Sequence, residues 1–177
     1  TGVRLAIALV QGIALALDRP VVARSTLEVL AMRAQSAPGT QVLAAIDARM
    51  GEVYSQAFVH DADGLRALGP ARVSAPDAVE LPGDATAWLG VGTGFSAVDG
   101  VLQSRLGARF AQIDASALPR AADLATIAAA AFARGEAIAP ERVEPAYLRD
   151  NVALTLVEQI ALRASRRAAE PGTPGTV

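Results

Sequence analysis

A chain of 177 residues is long enough to bury most of the surface its unfolded form exposes, as one ordinary domain or as two small lobes. Apolar residues make up 52% and charged residues 19%, and the net charge of −2 is spread along the chain. This argues against intrinsic disorder and leaves no electrostatic footprint for direct binding to nucleic acid or to an anionic membrane.

With no cysteine and one histidine, the chain can form neither disulfides nor the usual hydrolytic zinc sets, which fits a cytosolic protein. His60, in "HDADG", reads as a solvated turn residue between two strands. All 16 basic residues are arginine, a coding bias from which no function is read.

The opening stretch "TGVRLAIALVQGIALAL" (1–17) has the length of an export signal, with Arg4 as its charged end. Its longest unbroken apolar run, Leu5 to Val10, is too short for that reading to prevail, and the whole stretch falls short of the roughly 20 residues that span a bilayer. Leu, Ala, Ile and Gln make it a helix, stopped at Asp18-Arg19-Pro20. Ala8, Gly12 and Ala16 form a row of small side chains at helical spacing beside a large row of Leu5, Leu9, Ile13 and Leu17. A helix apolar on nearly every side must be covered all round.

"PVVAR" (20–24) is a short strand, and Ser25-Thr26-Leu27-Glu28 is a capping box opening a helix near 26–35. "SAPGT" (36–40) is the best domain boundary. Beyond it "QVLAAID" (41–47) and "EVYSQAFV" (52–59) form a hairpin, and a third strand runs near 65–74. "PDAVEL" (76–81) is a short helix or loop and "TAWLGV" (86–91) a fourth strand with Trp88 in the core. A helix at 95–106 follows "GVGTG", then a fifth strand at 108–113 and a helix at 120–135 ended by Gly135. Three antiparallel strands followed by alternating helices and strands make an α/β, ribonuclease-H-like order, one lobe of the actin, sugar-kinase and Hsp70 superfamily. Residues 152–167 are an amphipathic helix with Val152, Leu156, Val157 and Ile160 on one face, and 168–177 a flexible tail.

Four stretches in this order resemble the TsaB (YeaZ) family of tRNA threonylcarbamoyladenosine biosynthesis proteins: residues 1–17, "VLAAIDARMGEVY" (42–54), "GVGTG" (90–94) and "PAYLRDNVA" (145–153). That family carries a first-lobe sheet ahead of the opening helix. The resemblance therefore implies that residues 1–40 are the remainder of an N-terminal lobe, completed by 145–167, and that 41–144 are a complete second lobe.

It further implies a non-catalytic partner of the TsaD transferase, with no catalytic residue and no metal ligand of its own. A TsaD-like paralogue and a TsaE-like ATPase are the implied partners, with a homodimer in their absence and tRNA reached only indirectly. The implied interface is Leu5, Ala8, Leu9, Gly12, Ile13 and Ala16, with Leu27 and Leu30 from the next helix.

In this superfamily the first hairpin of a lobe brings glycine amides to nucleotide phosphates. Here Arg49 and Met50 stand where the glycines are needed, so a turn in which Asp47 caps amides, with Arg49 pairing to Glu52 or a partner, takes precedence over a phosphate site. Asp47, Arg49, Gly92 and Gly94 remain as a degenerate nucleotide contact, and ATP or ADP at the partner interface stays open as the sole cofactor. The competing functions are an ATP-dependent kinase or ATPase acting through Asp47 and, ranked last, a peptidase.

Overall fold

The computed structural model describes residues 2–34, 37–62 and 64–149. The amphipathic stretch at 152–167 and the tail lie outside the described residues. One mixed sheet organises the rest. Strands β1 (Gln41–Arg49), β2 (Glu52–Asp61), β3 (Gly64–Ala67), β4 (Arg72–Ser74), β5 (Trp88–Val91) and β6 (Phe110–Asp114) lie in the order β3-β2-β1-β5-β6, with β4 also paired to β2. β1 and β2 are antiparallel, whereas β1, β5 and β6 are mutually parallel. This is the ribonuclease-H-like order expected from the sequence.

The expected third strand is two short ones, because Leu68–Ala71 between them contains Gly69-Pro70 and proline has no N–H for a ladder. The helix expected at 95–106 begins as 3₁₀ turns at Thr93–Phe95 and Val98–Gly100, and only Val101–Leu106 (α3) is α-helical, because Val98 and Asp99 take positive φ. "PVVAR" contributes a single bridge, Val21 to Ile138, rather than a strand.

β1 is buried on both faces, and its alternation divides the core in two. Leu43 and Ala45 face Val53, Trp88, Phe95, Leu102 and Leu106 beneath α3. Val42 and Ala44 face Phe58, Val91 and helix α2 (Thr26–Ala31). α2 starts as its capping box predicts: Ser25 Oγ accepts the Leu27 amide at 3.2 Å, and the Ser25 amide donates back to the Glu28 carboxylate. Burial nonetheless raises the Glu28 pKa above its ordinary 4.5, against that bond and the nearby Arg24 charge.

Trp88 is fully buried, its indole N–H donating to the Ala85 carbonyl at 3.0 Å. His60 is a strand residue of β2 rather than a turn residue, with Nε2 3.1 Å from the Ala34 carbonyl oxygen.

Candidate functional site

Helix α1 (Gly2–Ala16) does not lie on the sheet. It rests on the returning segment 138–147. The Gln11 side-chain amide donates to the carbonyls of Pro140 and Val143 at 3.0 and 3.1 Å, and Ala14 is the one buried side chain of the helix. Beyond its C-terminal end Val21 and Ile138 exchange backbone bonds. Near its start Arg4 sits over the Tyr147 ring at 5.3 Å, so the tyrosine of "PAYLRD" joins the returning chain to α1.

The side of α1 turned away from Gln11 and Ala14 is open. Leu5, Leu9 and Ile13 are 69%, 62% and 53% exposed, and Ala8, Gly12 and Ala16 beside them are exposed as well. Among the described residues a Cβ at Gly12 would meet nothing within 4 Å. Six of the expected interface residues therefore form one continuous surface of large and small apolar groups. Burying each such large side chain would release about 1.5–3 kcal/mol.

Leu27 and Leu30 do not belong to that surface. They are 4% and 0% exposed and fill the core between α2, Val42, Phe58 and Val91. Their place on a partner-facing helix is corrected by this packing: α2 lies ahead of the boundary expected at 36–40, yet its apolar side is used up on the sheet.

At the first hairpin the backbone turns through three successive positive-φ residues, Arg49, Met50 and Gly51, and Met50 is 85% exposed. The Asp47 carboxylate accepts the Arg49 amide at 2.7 Å, the expected cap, and its other oxygen pairs with the Arg49 guanidinium at 3.1 Å. Arg49 thus pairs with Asp47 and not with Glu52.

Glu52 instead pairs with Arg149, a residue that motif reading did not single out. The Arg149 guanidinium also donates to the Ala48 carbonyl at 3.3 Å and lies 6.0 Å from the centre of the Tyr54 ring. "PAYLRD" consequently touches two distant elements, α1 through Tyr147 and the hairpin through Arg149. The arginine inside that motif was the only signal in the sequence, and no local pattern connects it to a hairpin about 100 residues away.

The glycine loop after β5 is filled by the chain itself. A Cβ at Gly92, whose φ is +109°, would lie 2.3 Å from the Ala45 carbonyl oxygen, and one at Gly94 would lie 2.8 Å from the Ala45 backbone. Thr93 Oγ1 accepts the Asp47 amide at 3.2 Å. Asp47, Gly92 and Gly94 are therefore brought together, but the close approach that the glycines permit is made by β1.

An ion-pair network joins the segment after α1 to the end of the helix at 121–133. Arg24 pairs with Glu136, which also pairs with Arg134, and these arginine hydrogen bonds hold the Glu136 carboxyl below its usual range. Among the described residues no group of three or more His, Asp or Glu side chains could hold a metal ion, and no helix is long and apolar enough to cross a membrane.

A family model described as "TsaD: tRNA N6-adenosine threonylcarbamoyltransferase" matches residues 1–156. Two curated relatives, each described as tRNA threonylcarbamoyladenosine biosynthesis protein TsaB, match 86% of this chain. The Escherichia coli (strain K12) protein is 41% identical over 161 residues, 67% of its length, and the Haemophilus influenzae protein is 30% identical over 163 residues, 66% of its length. The chain thus spans about two thirds of the length of these relatives.

Two solved structures from Pseudomonas aeruginosa each cover 84% of this chain and 68% of their own. One is described as an uncharacterized protein with similarity to peptidase YEAZ, with TM-score 0.75 and 44% identity. The other is YeaZ, with TM-score 0.71 and 42% identity. The relatives' name, the structural match and the strand order agree with the four sequence stretches, and the chain belongs to the TsaB (YeaZ) family.

Proposed function

We propose that this chain is a non-catalytic assembly subunit in the formation of tRNA threonylcarbamoyladenosine, and that it pairs with a TsaD-like transferase through the open face of α1. The observation that carries this reading is the continuous exposed surface of Leu5, Leu9, Ile13, Ala8, Gly12 and Ala16 on a helix seated, on its other side, on the returning chain. The large row supplies apolar area, and the small row lets a second helix come close. Two copies of the chain can use the same face on each other when the paralogue is absent, and a TsaE-like ATPase would join the assembled pair. ATP-dependent catalysis through Asp47 has less support, since the space beside the glycine loop is taken by β1 and the Asp47 carboxylate is engaged by Arg49.

Gly12→Arg tests the reading cleanly. Among the described residues a Cβ at the position would meet nothing within 4 Å, so the substitution starts from open space. In sedimentation velocity the variant is expected to keep the wild-type unfolding midpoint while losing both the homodimer and the complex with the TsaD-like paralogue. Wild-type assembly by Gly12→Arg would overturn the reading.

A further inference from the structure

We propose that the cavity beside the interrupted edge of the sheet binds a small amphiphilic carboxylate, with Arg72 as the anchor of its charge and the Ser55 hydroxyl as a second polar contact. The site is separate from α1 and does not rest on the pairing proposed for that helix.

The cavity follows from the register of the edge. Phe58 of β2 pairs with Ala67 of β3, and Ser55 of β2 pairs with Arg72 of β4. Two residues of β2 therefore run beside four of the edge chain, and the surplus at Leu68–Ala71 carries that chain off the ladder. Between this bulge, β2 and the segment 78–82 lies a cavity of about 700 Å³, a volume within the range of small-molecule sites. Its floor is apolar, built from Leu43, Ala57, Val79 and Leu81 of the core.

Folding leaves polar groups of this lining without partners. Ser55 is only 8% exposed, yet among the described residues no hydrogen bond reaches its hydroxyl, and the oxygen is open to the cavity. Buried hydroxyls are ordinarily satisfied, so this one takes its partner from the cavity side. Arg72 stands opposite Ser55 in the antiparallel pair, and residues paired in this way share a face of the sheet. Its guanidinium makes no ion pair among the described residues.

A carboxylate supplies what these groups lack. Its two oxygens match the planar fork of Arg72 and offer an acceptor to the Ser55 hydroxyl, while an apolar body covers the floor. Glu80, on the same lining and also without an ion pair among the described residues, limits the ligand to one negative charge by repelling a second.

Hexanoate is the probe, titrated into the isotope-labelled full chain and followed by amide chemical shifts. Saturable shifts are expected at Ser55, at Arg72 to Ser74 and at Val79 to Leu81. Arg72 is exposed, so Arg72→Gln is expected to keep the wild-type spectrum elsewhere while weakening hexanoate at least about tenfold. Ser55→Ala should weaken it about fivefold, the loss of one hydrogen bond. Hexylammonium, with the same apolar body and the opposite charge, should leave these amides unmoved, and adipate, with a second carboxylate, should bind more weakly than hexanoate. Shifts that never saturate, shifts confined to α1, hexylammonium or adipate binding as tightly as hexanoate, or undiminished binding by Arg72→Gln would each overturn the site.

Discussion

Gly92, Arg149 and a pair of glutamates show how single residues set the site. At Gly92 an alanine would need both a positive φ and the space held by the Ala45 carbonyl and a Leu30 methyl, 2.3 and 2.5 Å from its Cβ. Gly92→Ala is expected to cost roughly 2–4 kcal/mol, measured as a lower urea midpoint from Trp88 fluorescence. The sequence shows glycines after a strand but not what approaches them, since the partner, Ala45, lies on a strand 40-odd residues earlier in the chain.

Arg149 holds the hairpin by one ion pair and one carbonyl bond. Arg149→Ala should cost about 1–2 kcal/mol and speed amide exchange at residues 47–52. Arg149→Lys should recover only part of this, because an ammonium cannot reproduce the planar fork.

Glu28 and Glu136 are shifted to opposite sides of the ordinary 4.5. Glu136, held low by Arg24 and Arg134, adds stability above pH 4.5 that is lost as pH falls through its folded value. Glu28, raised by burial, favours the fold most below pH 4.5 and loses that favour as pH rises through its folded value. Carboxyl-carbon NMR should place the Glu136 midpoint below 4.5 and that of Glu28 above it. A reversed order would contradict the burial of Glu28 and the pairing of Glu136.

At the scale of elements, local chemistry was legible and tertiary context was not. The capping box at Ser25, the β1–β2 hairpin, the helix stopped by Gly135 and the Asp47 cap all follow from short-range signals that the structure reproduces. Leu27 and Leu30 were misplaced because apolar residues three apart on a helix look alike whether they meet a sheet or a partner. For α1 the all-round apolar pattern marked the helix as needing cover, and its Gln11 turned out to be the polar anchor on the covered side.

The two helices should therefore respond differently to the same change. Leu30→Ala is expected to destabilise the chain by about 2–5 kcal/mol, whereas Leu9→Ala should shift the unfolding midpoint by less than about 0.5 kcal/mol and weaken assembly. Chemical denaturation set beside sedimentation separates these effects. Loss of stability in Leu9→Ala would mean that the α1 face is internal.

For the molecule as a whole, the sheet order and the family were readable in the sequence, because they rest on periodicity and on motifs in a fixed order, whereas of the core only Trp88 was. What joins the pieces was not: the returning segment 138–149 binds α1 through Gln11 and Tyr147 and the hairpin through Arg149, contacts whose partners lie about 100 residues or more apart. That arrangement presents α1 outward on the side opposite the returning chain, and the proposed role depends on this single surface. Hydrogen–deuterium exchange of the chain, alone and saturated with a TsaD-like paralogue, tests it most directly. The amides of Gly2–Ala16 should gain strong protection while those of Ala121–Ala133 and the 47–52 hairpin stay as they were. Protection gained elsewhere with α1 unchanged would contradict the role assigned to that helix.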